Sequence, residues 1–362
     1  MLNFGHLKSK SKNNEFPNYQ LQMWYKDVKR DLPWRENKNP YSVWISEIIL
    51  QQTRVDQGLP YYNRFLERFP TVHDLADASE DEVLKLWEGL GYYSRARNLH
   101  ATAKIVSREM EGEFPSTYKE LLVLKGVGPY TAAAIGSICF DLQVAAVDGN
   151  VYRVLSRYYG IQESIDETST KKLISELANG IVDSGDSGNH NQAMMELGAT
   201  VCTPKAPKCT ECPVADSCVA LRENLQLQLP IRSKKIKVRA RFFYYLIPVF
   251  KGYTAIRKRG EGDIWQGLYE FPMVESDRKL DDNEVLKSLE IRSEDLVKSI
   301  SEEYKHILSH QKIYAKFVCV ESELIKNSNF NKVKVAKLRS FAFPRLINRY
   351  LEKENFVIDK KV

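Results

Sequence analysis

The sequence is poor in long apolar runs. Its longest stretch without charge, Gly126 to Phe140, is fifteen residues and is broken by glycine and proline, too short to span a bilayer as a helix. The opening residues, MLNFGHLKSKSKNNEF, lack the apolar centre of a secretory signal. A cytosolic or nuclear protein is therefore expected, cytoplasmic and nucleoid-associated if the source is bacterial, with no membrane partner. Cysteine is scarce too, six in 362 residues, and four of the six fall between Cys202 and Cys218. In a reducing compartment that crowding points to metal rather than to disulfides. Cys139 and Cys319 stand alone in apolar surroundings and read as core residues. No internal repeat is present.

What is there is a globular composition, 43% hydrophobic and 28% charged, with a net charge of +6 that favours a polyanionic partner. From Phe16 to Leu225 the pattern is helical nearly throughout. Leu21, Trp24, Tyr25 and Val28 share one helix face, as do Val151, Val154, Leu155 and Tyr158. RFPTV and GEFPSTY read as connections. The stretch LPIRSKKIKVRAR carries Arg232, Lys234, Lys235, Lys237, Arg239 and Arg241 without an acid, and reads as a linker over 226–240. Beyond it FFYYLIPVF, YTAIRK, LYEFPMV and IYAKFVCV read as strands, with helices near 282–290 and 344–352. The expected fold is two domains: a mainly α domain over 16–225 after a disordered tail at 1–15, then an α+β domain over 241–355.

CTPKAPKCTECPVADSC places Cys202, Cys209, Cys212 and Cys218 with six, two and five residues between them. Four thiolates can hold tetrahedral zinc or a four-iron cluster. Zinc ribbons use two C-x2-C knuckles, and this run has one, which suits a cubane better.

Upstream lies LKGVGPYTAAAIG. Gly126 and Gly128 suit positive φ or a close backbone approach, and a helix starting after Gly128 offers free N–H groups to a phosphate; an ordinary αα-hairpin fits the same residues. Glu47 lies among Trp44, Ile45, Ile48 and Ile49, where lost hydration raises a carboxyl pKa. Asp148, in AVDGNVYRV, sits where backbone donors and a helix dipole favour the ionised form. An acid and an anionic stabiliser need such unlike surroundings. A polar edge residue and a plain N-cap fit the two positions as well.

The cysteine spacing, the hairpin and the following aspartate together resemble the endonuclease III superfamily of helix-hairpin-helix DNA glycosylases. WISEIILQQT, GLGYYSRARNLH, DGNVYRVL and NQAMMELGA narrow the resemblance to the adenine DNA glycosylase (MutY) family. It implies a monomeric DNA repair enzyme with a [4Fe-4S] cluster on the four cysteines, acting on double-stranded DNA that carries adenine opposite 8-oxoguanine or guanine. It further implies Glu47 as acid and Asp148 as stabiliser or nucleophile, with Asn150 supporting the sugar or Asp148. Tyr130 would hydrogen-bond near Asp148 or the sugar, Arg35 and Glu196 would line an adenine pocket, and Gly126 and Gly128 would hold a DNA phosphate. Gln52, Leu90 and Tyr92 would enter the duplex, and Thr53 would touch the opposing base. The relatives that also cut the strand as lyases carry lysine at the position of Tyr130, so this chain should stop after removing the base. An endonuclease III-type lyase and a non-catalytic DNA-binding protein are the rival readings.

The second domain resembles the Nudix-like domain of the same family, yet no run of the type G-x5-E-x7-R-E-x2-E-E-x-G is present, so phosphohydrolase activity is not expected. The resemblance implies a lesion reader at Ser309 and His310. The family more often has phenylalanine where this chain has Leu308. A strand histidine with satisfied partners fits His310 equally.

Overall fold

The computed structural model describes residues 16–233, 238–322 and 330–354. The tail at 1–15 and Lys234, Lys235 and Lys237 of the linker lie outside them. By contacts the chain forms two compact units. One combines the sequence up to His73 with Ala101–Lys234; the other combines Asp74–His100 with the sequence from Lys235 onward. This division does not follow sequence order, because 74–100 goes with the C-terminal part. No helix among the described residues is long and apolar enough to cross a membrane.

The first unit is helical because its apolar residues recur at helical spacing and its helices are capped. Helix Pro40–Leu50 opens with Asn39 accepting from the N–H of Tyr41 and of Ser42, with proline in the first turn. It is apolar on all sides and buried over Tyr41–Ile49, so it is the central helix of this unit. Helix Pro129–Phe140, likewise buried through most of its length, packs beside it. Helix Gly149–Tyr159 buries Val151, Val154, Leu155 and Tyr158, the stripe read from sequence, against helix Ser187–Thr200. The stripe on Asn18–Val28 holds for Leu21 and Tyr25, but Val28 is exposed.

The second unit is built on two sheets among the described residues. Strand β1 (Arg239–Val249) runs parallel to β7 (Gln311–Glu321), with Phe243 opposite Ala315 and Ile247 opposite Cys319. Antiparallel to these lie β4 (Met273–Ser276) on β1, and β5 (Leu296–Ile300) and β6 (Tyr304–Ile307) on β7. The smaller sheet has β2 (Tyr253–Lys258) between β3 (Tyr269–Glu270) and β8 (Asn331–Lys334). The unit's helices include Glu80–Leu86, Asp282–Ser288 and Arg345–Lys353. Phe317 stacks on Tyr245 and Tyr350 in the core. LYEFPMV, read as one strand, is two, because Pro272 has no N–H to donate to a ladder.

Candidate active site and cluster loop

Glu47 sits near the end of the buried helix Pro40–Leu50, and 7% of its surface is exposed. Burial pushes its carboxyl up to about 7; Asp148 adds to the rise and the Tyr130 hydroxyl opposes it. The Tyr130 hydroxyl donates to Glu47 Oε2 at 2.7 Å and lies 3.1 Å from Met195 Sδ. Sequence reading expected that hydroxyl near Asp148 or the sugar; the structure puts it on the acid. Burial also holds the phenol well above its ordinary pKa, so it remains a donor.

Asp148 is the N-cap of helix Gly149–Tyr159. Its Oδ1 accepts from the N–H of Asn150 at 2.9 Å and of Val151 at 2.8 Å, and Oδ2 accepts from Asn150 Nδ2 at 2.7 Å. From the sequence, backbone donors and the helix dipole favour the anion. Burial wins instead, and the Asp148 pKa is raised while these three hydrogen bonds hold it back. Asn150 is oriented in turn by Arg153, whose Nη2 donates to Asn150 Oδ1 at 2.8 Å and whose Nε donates to the carbonyl of Cys202 at 2.7 Å. Helix Ser187–Thr200 approaches so closely that a Cβ on Gly198 would lie 2.5 Å from the Asn150 Cβ. Arg153, Met195 and Gly198 escaped sequence reading; the last two stand in the quoted NQAMMELGA run, and only the packing gives them a role.

Glu196 is 1% exposed. Burial raises its pKa, but Arg30 and Arg35 outweigh that and the net shift is downward. Arg30 grips it with Nε at 2.6 Å and Nη2 at 2.9 Å, and Arg35 Nη2 adds a bond at 2.7 Å. Arg35 also covers the Tyr25 ring at 5.5 Å. Arg35 and Glu196 are thus brought together as an ion pair, and Arg30 is a member the sequence did not reveal.

Gln52 lies just past the end of the Glu47 helix with φ of 57° and is exposed; Thr53 follows, its N–H bonded to the Leu50 carbonyl. A non-glycine residue in the left-handed region is strained, and here the strain turns an amide side chain into solvent. In the hairpin, Gly126 has φ of 81°, as expected. Gly128 differs: its φ is −91°, not positive, and a Cβ there would touch nothing of the chain within 4 Å, so it faces open space.

The four cysteines line one cavity with Arg157, Tyr158, Val154 and Leu197. Arg157 is 2% exposed and stitches the loop, its Nη1 donating to the Thr203 carbonyl at 2.8 Å and reaching the Cys202 carbonyl and Sγ at 3.3 Å. Burial pushes the Cys212 thiol up to about 12, and its thiol neighbours add to this, which favours the neutral thiol. Among the described residues no three Cys, His, Asp or Glu side chains are drawn together at ligating distance. The donor set is soft and all-sulfur, which fits iron–sulfur chemistry.

In the second unit, Leu308, Ser309 and His310 form the turn between β6 and β7. His310 is exposed and its carbonyl accepts from the Arg239 N–H at 3.0 Å, so it is a turn residue and not a strand histidine. The Ser309 hydroxyl is hydrogen-bonded to the Tyr92 hydroxyl. Both line a cavity of about 460 Å³ with Trp265, Gln266 and His306. Tyr92 is 46% exposed at φ of 47°, whereas Leu90 is 7% exposed and packed inward.

Comparison with known proteins agrees with both halves. Residues 45–179 match the HhH-GPD superfamily of base excision DNA repair proteins, 202–218 match the iron–sulfur binding domain of endonuclease III, and 244–353 match the NUDIX domain. The adenine DNA glycosylase of Buchnera aphidicola subsp. Baizongia pistaciae (strain Bp) is 38% identical over 80% of this chain and 82% of its own length. That of Buchnera aphidicola subsp. Schizaphis graminum (strain Sg) is 36% identical over 85% and 88%. The solved structure of a thermostable thymine-DNA glycosylase, 29% identical, superposes with a TM-score of 0.51 over 57% of this chain and 95% of its own. An iron–sulfur loop, a capped aspartate and a buried glutamate on a helix-hairpin-helix frame thus accompany similarity over 80 to 85% of the chain: it is a DNA N-glycosylase and belongs to the adenine DNA glycosylase family.

Proposed function

We propose that this enzyme removes adenine opposite 8-oxoguanine or guanine and leaves the strand uncut. The observation that carries the reading is the pair formed by Glu47 and Tyr130. A carboxyl whose pKa lies near 7 is available as an acid, and the hydroxyl that holds it stands where a lyase of this superfamily has its amine. The adenine must first leave the stack. Glu47 then gives its proton to adenine N7, the C1′–N9 bond breaks with its electron pair going to the base, and neutral adenine departs. Asp148 stabilises the cationic sugar, or bonds to C1′ as the nucleophile of a retaining glycosidase does. Water adds to C1′ and returns a proton to the carboxylate pair. Asn150 keeps Asp148 aimed through its 2.7 Å bond.

Cys202, Cys209, Cys212 and Cys218 would hold a [4Fe-4S] cluster, which when bound cross-links the loop 202–218. Matched iron and acid-labile sulfide with a broad visible absorbance supports this; a colourless zinc protein overturns it. In the second unit, Ser309 and Tyr92 read the base opposite the adenine, and Ser309 presents the hydroxyl to it. Leu308 packs against the apolar core of that unit, so the aromatic contact of relatives with phenylalanine there is not available.

Duplexes with adenine opposite 8-oxoguanine, adenine opposite guanine, or an oxidised thymine test the reading. Alkali-labile sites confined to the adenine strand are expected. Breaks at oxidised thymine without alkali would favour the lyase reading, which needs an amine nucleophile that Tyr130 does not supply.

A further inference from the structure

Tyr92 and Ser309 stand on two separate turns of the second unit, and a third turn contacts the strand leading into one and the helix leaving the other. That third turn, 259–267, carries the GDIWQG run. Its Trp265 ring meets the ring of His306, on the strand leading into Ser309, edge-on at 5.8 Å. Its Gln266 is taken in two prongs by Arg97: Nη1 donates to the Gln266 carbonyl at 2.6 Å and Nη2 to Oε1 at 3.2 Å. Arg97 lies in the first turn of helix Ser94–Glu109, directly after the 89–93 turn, and its N–H donates to the Tyr93 carbonyl at 3.1 Å.

The third turn is itself rigid. Asp263 is gripped by Arg241 at 2.6 and 2.8 Å and by Arg259 at 2.8 Å, and Arg259 Nε bonds the Ile264 carbonyl at 3.0 Å. Trp265 is held at φ of 63° and Gly267 at 82°. A Cβ on Gly267 would lie 3.1 Å from Leu84 Cδ1 and 3.3 Å from Glu80 Oε1, so the turn lies close against the 80–97 segment.

We propose that Arg97 is a positioning residue for reading the base opposite the excised adenine: through Gln266 and Trp265 it sets the spacing between the Tyr92 turn and the Ser309 turn. The inference rests on the reading of Ser309 and Tyr92 proposed above. Arg97 need not touch the base. A planar, two-pronged guanidinium fixes direction as well as distance, which a lysine ammonium does not.

The test compares full-length wild type with Arg97→Lys and, separately, Gly267→Ala, on duplexes with adenine opposite 8-oxoguanine and adenine opposite guanine. Binding constants and single-turnover excision are measured on each. Both variants are expected to lose about tenfold of the preference for 8-oxoguanine, the size of one charge-assisted hydrogen bond, while the guanine duplex changes less than about twofold. Equal losses on both duplexes mean a merely structural role and overturn the inference, as does an unchanged preference in both variants. A wild-type enzyme without preference overturns the reading of Ser309 and Tyr92, and the inference with it.

Discussion

The Tyr130 hydroxyl donates to Glu47 Oε2 at 2.7 Å inside a helix pair that is otherwise almost wholly apolar. The bond favours the ionised carboxylate, and burial favours the neutral acid more strongly, which leaves the pKa at about 7. A carboxyl in that balance can both give and take a proton near neutral pH.

Removing the hydroxyl shifts that balance. In Tyr130→Phe the Glu47 pKa should rise further, moving the alkaline limb of the excision-rate profile to higher pH. A single-turnover pH series on an adenine-containing duplex checks this. A limb that stays in place would remove Tyr130 from the titration.

Glu47→Gln should bind DNA and excise nothing. It should also be more stable than wild type at pH 8. The folded-state pKa of Glu47 is raised from 4.5 to about 7, so the native state binds the proton more tightly and wild-type stability falls as pH rises between those values. The glutamine variant escapes that loss, on the order of 3 kcal/mol at pH 8 and vanishing below about pH 4.5. Denaturant melts at the two pH values decide it.

Asp148 caps a helix and, in the proposed mechanism, also serves the sugar, and one substitution separates the roles. Asparagine caps as well as aspartate, so Asp148→Asn should keep stability within about 1 kcal/mol. Excision should drop by a factor of about a thousand or more, since the charge opposite the cationic sugar is gone. A large loss of stability would mean the charge matters to the fold itself.

Gly198→Ala forces a methyl group into the 2.5 Å gap against Asn150. Excision should fall about tenfold or more as Asn150 and Asp148 are displaced, with a stability cost of about 1–3 kcal/mol. Amide exchange at Asn150 and Val151, whose N–H groups bind Asp148, reports the displacement directly.

Cys212→Ser should lose the visible absorbance and expose the 202–218 loop to protease. Arg157, tied to that loop by its carbonyls, should become the point from which local unfolding spreads. Hydrogen exchange across helix Gly149–Tyr159 measures how far.

Much of this was legible before any coordinates. The helical stripe of Val151, Val154, Leu155 and Tyr158 predicts its buried face, and YTAIRK is β2 to the residue. Glu47 among isoleucines predicts a raised pKa because desolvation is local. Other features were not legible, since they depend on residues distant in sequence. The ion pair of Arg30 and Arg35 with Glu196 spans more than 160 positions, and the clash that makes Gly198 necessary comes from another helix. Strands β5, β6 and β8 escaped sequence reading, because their burial patterns are weak and β8 is half lysine. Gly128 shows the reverse for one expectation: its φ is −91°, so positive φ is not what places glycine there.

The grouping of Asp74–His100 with the C-terminal part also sets a clock. Asp81 accepts from the Tyr269 hydroxyl at 2.8 Å, and Glu88 accepts from the Phe343 N–H at 3.0 Å and from Asn348 at 2.7 Å. None of these partners exists when the segment leaves the ribosome; the sequence resumes that unit only at Lys235, about 135 residues later. At ordinary synthesis rates the 188 to 260 positions that separate these partners impose a wait on the order of tens of seconds. During it, the segment that carries Leu90, Tyr92 and Arg97 lacks these bonds, which makes the last third of the chain a requirement for completing part of the first.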